Sequence, residues 1–206
     1  MTLQLDPVAY RRRIAELDCV VVDPQSKDFQ PTSVVVMCHG FGAPGTDLVP
    51  CSEAIVNLQP ESCQNIRFVF PAGPLEMEPG YDARAWWPID MEKLQSMIDG
   101  GEFRELRNET PDLLSVRRQQ LIDLVEQLVQ EHSLDYSKIV LGGFSQGAML
   151  TTDVALHLKK EIGGLVVWSG TLLNEKQWRA NIKECPPIPV FQSHGHSDPI
   201  LSLIHI

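Results

Sequence analysis

A β-branched apolar stretch, Ile139 to Leu141, runs into Gly143-Phe144-Ser145-Gln146-Gly147 and then directly into a segment of helical character from Ala148. Few chain geometries accept that order. Strand, Gly-x-Ser-x-Gly and helix in succession predict a nucleophile elbow, a sharp turn that pushes the serine out of the end of a sheet. Gly143 and Gly147 suit it because a side chain at either position would clash where strand and helix cross closely.

Other short apolar runs have the look of strands covered on both faces: Cys19 to Val22, Ser33 to Cys38, Ile66 to Phe70, Leu165 to Trp168 and Pro189 to Gln192. Most end in small or turn-forming residues such as His39-Gly40 and His194-Gly195. Helical patterns lie between them. The clearest, Asp112 to His132, has Thr110 as an expected N-cap, Pro111 at the first helical position, and Leu114, Leu121, Leu124, Val125 and Leu128 on one face. Strands alternating with helices predict an α/β fold with a mostly parallel sheet and helices on both faces. Loops at the carboxyl ends of such strands carry the chemistry. Residues 74–108, with Pro79-Gly80, Trp86-Trp87-Pro88 and Gly100-Gly101, fit neither period and read as a lid or pocket-wall insertion within a single domain spanning 1–206.

Bulk composition narrows the class. The 206 residues are 43% apolar and 21% charged, as in an ordinary globular domain. A net charge of −10 argues against nucleic acid or an anionic membrane surface as the main partner. Arg11-Arg12-Arg13, followed by Glu16 and Asp18, reads as a solvated helix face. There is no apolar run of the ~20 residues a membrane span needs and no secretory leader, so no stable membrane insertion is expected. Five cysteines without paired spacing read as reduced thiols in a cytoplasmic protein.

Two further segments join the elbow. His39-Gly40-Phe41-Gly42-Ala43-Pro44-Gly45 follows the strand ending at Cys38. Cleavage of an ester or thioester passes through a tetrahedral oxyanion, and backbone N–H donors are its usual stabiliser. The residue after the nucleophile, Gln146, and a residue of the earlier loop, Phe41, are the expected pair. His39 is read as organising that loop. In His194-Gly195-His196-Ser197-Asp198-Pro199, Asp198 is the candidate acid, because acid follows nucleophile in this chain order. His194 and His196 alone are too sparse for a metal site, so neither metal nor cofactor is expected. Trp86 and Trp87 are expected to line the substrate pocket.

These segments, with Pro71-Ala72-Gly73-Pro74 and Arg84-Ala85-Trp86-Trp87-Pro88-Ile89-Asp90, resemble the acyl-protein thioesterase / carboxylesterase (phospholipase-carboxylesterase) family of α/β-hydrolases over roughly residues 30–200. The resemblance implies a cofactor-free serine hydrolase of lipid metabolism that forms an acyl-enzyme on Ser145 and acts on small acyl esters or S-acylated proteins. Two departures stand out. Phe41 and Ala43-Pro44 replace a leucine and an acidic pair in the family's oxyanion loop. Residues 91–108 also look longer than in the depalmitoylating members.

The third departure concerns the base. After Asp198 the fold calls for a crossover of at least ~10–12 residues and a strand of about 5–6 before the loop that presents the histidine. Only Pro199 to Ile206 follow, so the C-terminal strand and helix, and with them the catalytic histidine, are expected to be missing. His205 is the one histidine after Asp198, without the usual supporting strand. The expectation is a C-terminally truncated, near-inactive chain. Two alternatives stand beside it: a non-catalytic binding protein on the same fold, and a lactonase-type hydrolase, in which the elbow typically carries cysteine.

Overall fold

The computed structural model describes residues 5–24, 29–78, 80–90, 92, 96, 99–100, 107–196 and 198. The chain opens with strands β1 (Val8–Ile14), β2 (Leu17–Asp23) and β3 (Ser33–Cys38), followed by helices α1 (Val49–Leu58) and α2 (Pro60–Cys63). Strand β4 (Ile66–Pro71) leads to the short pair β5 (Leu75–Glu76) and β6 (Arg84–Ala85), and then to α3 (Leu114–His132). The second half alternates β7 (Ile139–Phe144), α4 (Gln146–Leu158), β8 (Gly164–Trp168), α5 (Glu175–Ile182) and β9 (Val190–Ser193).

Seven strands make one sheet in the order β1-β2-β4-β3-β7-β8-β9. From β4 to β9 every pairing is parallel, while β1–β2 and β2–β4 are antiparallel. The expected α/β sheet is therefore present, and its first two strands add an antiparallel wing.

The Arg11-Arg12-Arg13 run lies on strand β1, not on a helix face. It extends because β1 is an edge strand paired in register with β2, Ile14 opposite Leu17, through a tight turn at Ala15. Arg12 reaches across to α3, where its guanidinium donates to both Glu131 carboxylate oxygens at 2.7 and 2.5 Å.

Helix α3 begins at Leu114, later than the sequence pattern places it, and Thr110 is not its cap. Leu113 takes a left-handed backbone (φ 68°) and no side chain caps the helix. Packing sets the start: Leu114, Leu121, Leu124, Val125 and Leu128 are all buried in the larger core cluster with Val34, Val36, Ile139 and Leu141 of the sheet. Each such side chain contributes about 1.5–3 kcal/mol on burial. At the other end Ser133 is left-handed, and the Leu134 N–H bonds the Val129 carbonyl to close the last turn.

Between β2 and β4, Arg67 donates two hydrogen bonds to the Asp23 carboxylate at 2.7 and 2.9 Å, both residues buried. Within 74–108 the described residues include the β5–β6 pair and the ordered Trp86-Trp87 segment. The rest of the expected insertion, residues 79, 91, 93–95, 97–98 and 101–106, lies outside the described residues, as do His205 and the expected chain end. Among the described residues no helix is long and apolar enough to cross a membrane.

Candidate active site

Strand β7 delivers Ser145 to the carboxyl end of the sheet, and α4 starts on the next residue. Ser145 takes φ 51° and ψ −115°, a conformation L-residues rarely adopt, which costs about 1–3 kcal/mol and persists only where its surroundings enforce it. The enforcement is visible in the bonds on either side. The Ser145 N–H donates to the Trp168 carbonyl at 2.8 Å, and the Ser145 carbonyl accepts from Met149 N–H at 3.0 Å. A methyl group on Gly143 would stand 2.5 Å from the Cys38 carbonyl oxygen, and one on Gly147 only 2.1 Å from it. Both glycines are therefore required by the close passage of the end of β3 beneath the elbow.

That passage puts the loop after β3 beside Ser145. His39 is 1% exposed and organises the loop with both ring nitrogens. Nδ1 donates to the Gly40 carbonyl (2.7 Å) and Nε2 accepts from Gly73 N–H (2.9 Å), which fixes a neutral tautomer. Burial pushes its pKa below the usual histidine range. With both nitrogens engaged, His39 is not free to act as a base. The loop is also stitched to β6: Gly42 N–H donates to the Arg84 carbonyl (2.9 Å), and Arg84 N–H to the Ala43 carbonyl (3.1 Å). Among the described residues the backbone N–H groups of Phe41 and Gln146 enter no backbone hydrogen bond of this kind. Gln146 opens α4, so its N–H also sits at the positive end of a 13-residue helix.

Trp86 and Trp87, expected on a pocket wall, are instead packed in the core, 0% and 3% exposed. Every polar group of Trp86 is used. Its N–H donates to Gln146 Oε1 (2.8 Å), its indole N–H to the His39 carbonyl (3.0 Å), and its own carbonyl accepts from Arg117 Nε (2.9 Å). Gln146 Nε2 donates in turn to the Trp87 carbonyl at 2.9 Å. The side-chain role of Gln146 and the part of Arg117 were not read from the sequence. A carboxamide at a position that must be buried was the only available signal for the first, and nothing signalled the second. The exposed aromatic ring at the elbow is Phe144, 43% exposed and lying against Gly40.

Asp198 sits on the loop after β9, half-buried, with its Oδ2 3.4 Å from His194 Nε2. Register brings this loop level with the elbow: Phe144 pairs with Trp168, and Trp168 with Ser193. Ser145 and His194 thus leave the sheet in one row, two strands apart, or about 10 Å between strand axes. His196 is exposed on the same loop. His157 bonds the Asp153 carbonyl on its own helix, and His132 bonds Arg67. Cys38 is fully buried and its thiol pKa is raised well above the ordinary value by that burial, so it is no nucleophile.

Residues 18–206 match the phospholipase/carboxylesterase family of the α/β-hydrolases, and the chain belongs to that family. The acyl-protein thioesterase 1 of Debaryomyces hansenii is 28% identical over 183 residues, covering 82% of this chain and 71% of that protein. The acyl-protein thioesterase 1 of Saccharomyces cerevisiae is 26% identical over 178 residues, again covering 82% and 71%. Among solved structures, esterase PE8 superposes with a TM-score of 0.66 at 24% identity, covering 85% of this chain and 74% of its own. The Bacillus cereus carboxylesterase gives 0.59 at 19% identity, covering 93% and 76%. The structural likenesses establish the α/β-hydrolase fold, and the family membership makes the chain hydrolase-like by descent.

Proposed function

We propose that this chain is a serine hydrolase of carboxylic esters or S-acyl thioesters. Ser145 is the nucleophile, the backbone N–H groups of Phe41 and Gln146 form the oxyanion hole, and Asp198 is the acid. The observation that carries the reading is the enforced positive-φ backbone of Ser145 at a strand–helix junction, with a histidine-organised loop against it. A binding protein would have no use for that strain. A serine at the elbow, rather than a cysteine, argues against the lactonase reading.

In the reaction the Ser145 oxygen attacks the acyl carbon while its proton passes to a histidine held by Asp198. The carbonyl oxygen gains negative charge between the two N–H donors. Collapse expels the alcohol or thiol and leaves an ester on Ser145, which water then cleaves by the same route. The substrates are small acyl esters or S-acylated proteins, as the names of the thioesterase relatives suggest. Five unpaired cysteine thiols fit a reducing, cytoplasmic setting.

The test is turnover of p-nitrophenyl butyrate by the 206-residue chain, with the catalysed hydrolysis expected to vanish in Ser145→Ala. Ordinary esterase rates that fall on His194→Ala or His205→Ala would show that one of these serves as base. Hydrolysis untouched by Ser145→Ala would refute the nucleophile assignment.

A further inference from the structure

The segment from Arg84 to Trp87 spans the two halves of the oxyanion hole. At one end the Arg84 backbone pairs with Gly42 and Ala43, the two residues after Phe41. At the other, the Trp86 N–H and the Trp87 carbonyl are clasped by the carboxamide of Gln146, the residue whose own N–H is the second donor. Between the ends the Trp86 indole fastens the His39 carbonyl, two residues before Phe41. Six hydrogen bonds thus converge on four residues in a row: two at the Arg84 backbone, two to the Gln146 carboxamide, one from the Trp86 indole and one from Arg117 on α3. The tryptophans are sealed from solvent, so the buried groups on this segment have no water to fall back on.

We propose that Arg84 to Trp87 acts as a brace that sets the separation between the Phe41 and Gln146 N–H donors. Trp86 and the Gln146 carboxamide are its positioning residues, and Arg117 on α3 is its remote anchor. The assignment rests on the reading of Ser145 as nucleophile only for its catalytic consequence; the mechanical link is a property of the bonds themselves. The two donors follow different strands that adjoin in the sheet, Phe41 on the loop after β3 and Gln146 at the start of α4 after β7. A segment bonded to both fixes how far apart they stand. Misplacement of a reacting group by about 1 Å can cost on the order of 100-fold in rate, so a brace of this kind matters without touching substrate.

The test uses Trp86→Phe, which keeps an aromatic ring in the core and removes the indole N–H along with some ring volume, and the pair Arg117→Met and Arg117→Lys. Hydrogen exchange of the Gly42 amide reads the brace, and the rate at which a fluorophosphonate modifies Ser145 reads the oxyanion hole. Thermal melting is followed alongside. The brace predicts at least ~10-fold faster Gly42 exchange in Trp86→Phe and Arg117→Met, and Ser145 labelling slower by ~10- to 100-fold, beyond any effect scaled to the drop in melting temperature. Arg117→Lys, which keeps a donor, recovers part of both. Gly42 exchange unchanged in both Trp86→Phe and Arg117→Met would overturn the brace. If the wild-type chain takes no label while Gly42 exchange still accelerates in the variants, the brace stands and the hydrolase reading fails.

Discussion

At Gly147 a single added methyl group has nowhere to go. It would stand 2.1 Å from the Cys38 carbonyl oxygen and 2.5 Å from that of His39, both backbone atoms of the strand end and loop that support the oxyanion side. Gly147→Ala must therefore push β3 and α4 apart at the elbow. Overpacking of this kind costs about 1–3 kcal/mol, and more when backbone has to move. The expected result is a loss of about 3 kcal/mol in urea unfolding, with Ser145 labelling reduced further than stability alone explains. A Gly147→Ala protein as stable as the parent would show that strand and helix do not cross as described. Gly143 and Gly147 were legible in the sequence because the motif and the close crossing demand each other. The Gln146 clasp was not, since it depends on a partner segment 59 and 60 residues away.

At the scale of elements, strands were legible wherever burial on both faces left an unbroken apolar run. Ser33 to Cys38 coincides with β3, and the others shift by a few residues at most. Strand β1 was misread because its exposed edge carries three arginines, and charge there protects an unpaired edge rather than marking a helix. Helices α1 and α5 escaped because their apolar faces are narrow: Ser52 and Val56 are the buried residues of the first, Trp178 and Asn181 of the second.

The join between α3 and the sheet has a chemical signature that no periodicity reveals. His132, at the end of α3, accepts a hydrogen bond at Nε2 from Arg67 Nη1 (2.7 Å), which leaves its proton on Nδ1, buried and without a partner among the described residues. Burial, and then the neighbouring Arg67 charge, push its pKa below the usual histidine range, although Glu131 and Asp23 oppose the shift. The folded state thus resists a proton that the unfolded chain accepts near pH ~6.5. Stability from this group is complete above that pH and is lost as pH falls through it toward the folded pKa. His39, shifted the same way, adds to the effect. Melting temperature should drop on acidification below about pH 6.5, and His132→Gln, which can still accept from Arg67, should flatten the slope. An unchanged slope would contradict the buried neutral imidazole.

At the scale of the molecule, and among the described residues, the sheet is well covered in its middle and bare at one side. Strand β9 ends the sheet among the described residues, all four of its residues are exposed, and Val190 and Phe191 are 57% and 61% exposed. Beside it an apolar groove of about 670 Å³ is lined by Leu156, Leu165, Trp178, Ile182 and Ile188. An apolar edge of this kind templates strand addition. The 206-residue chain should associate with rising concentration, read by light scattering, and Phe191→Lys should suppress it. Scattering independent of concentration in the parent would show the edge to be protected. The class of fold was legible because alternation of strand and helix runs the length of the chain. The coverage of this edge was not, because it depends on what packs against β9 rather than on β9 itself.

Ser145 is the residue on which the proposed chemistry rests. The most direct measurement is to incubate the full 206-residue chain with a fluorophosphonate and map the adduct by mass spectrometry. Trypsin releases Ile139–Lys159, a peptide in which Ser145 is the only serine. The account predicts a selective adduct on that peptide, at Ser145, absent from Ser145→Ala and from heat-unfolded protein. An adduct on other serines in preference to Ser145, or none after prolonged exposure of the folded chain, would contradict it.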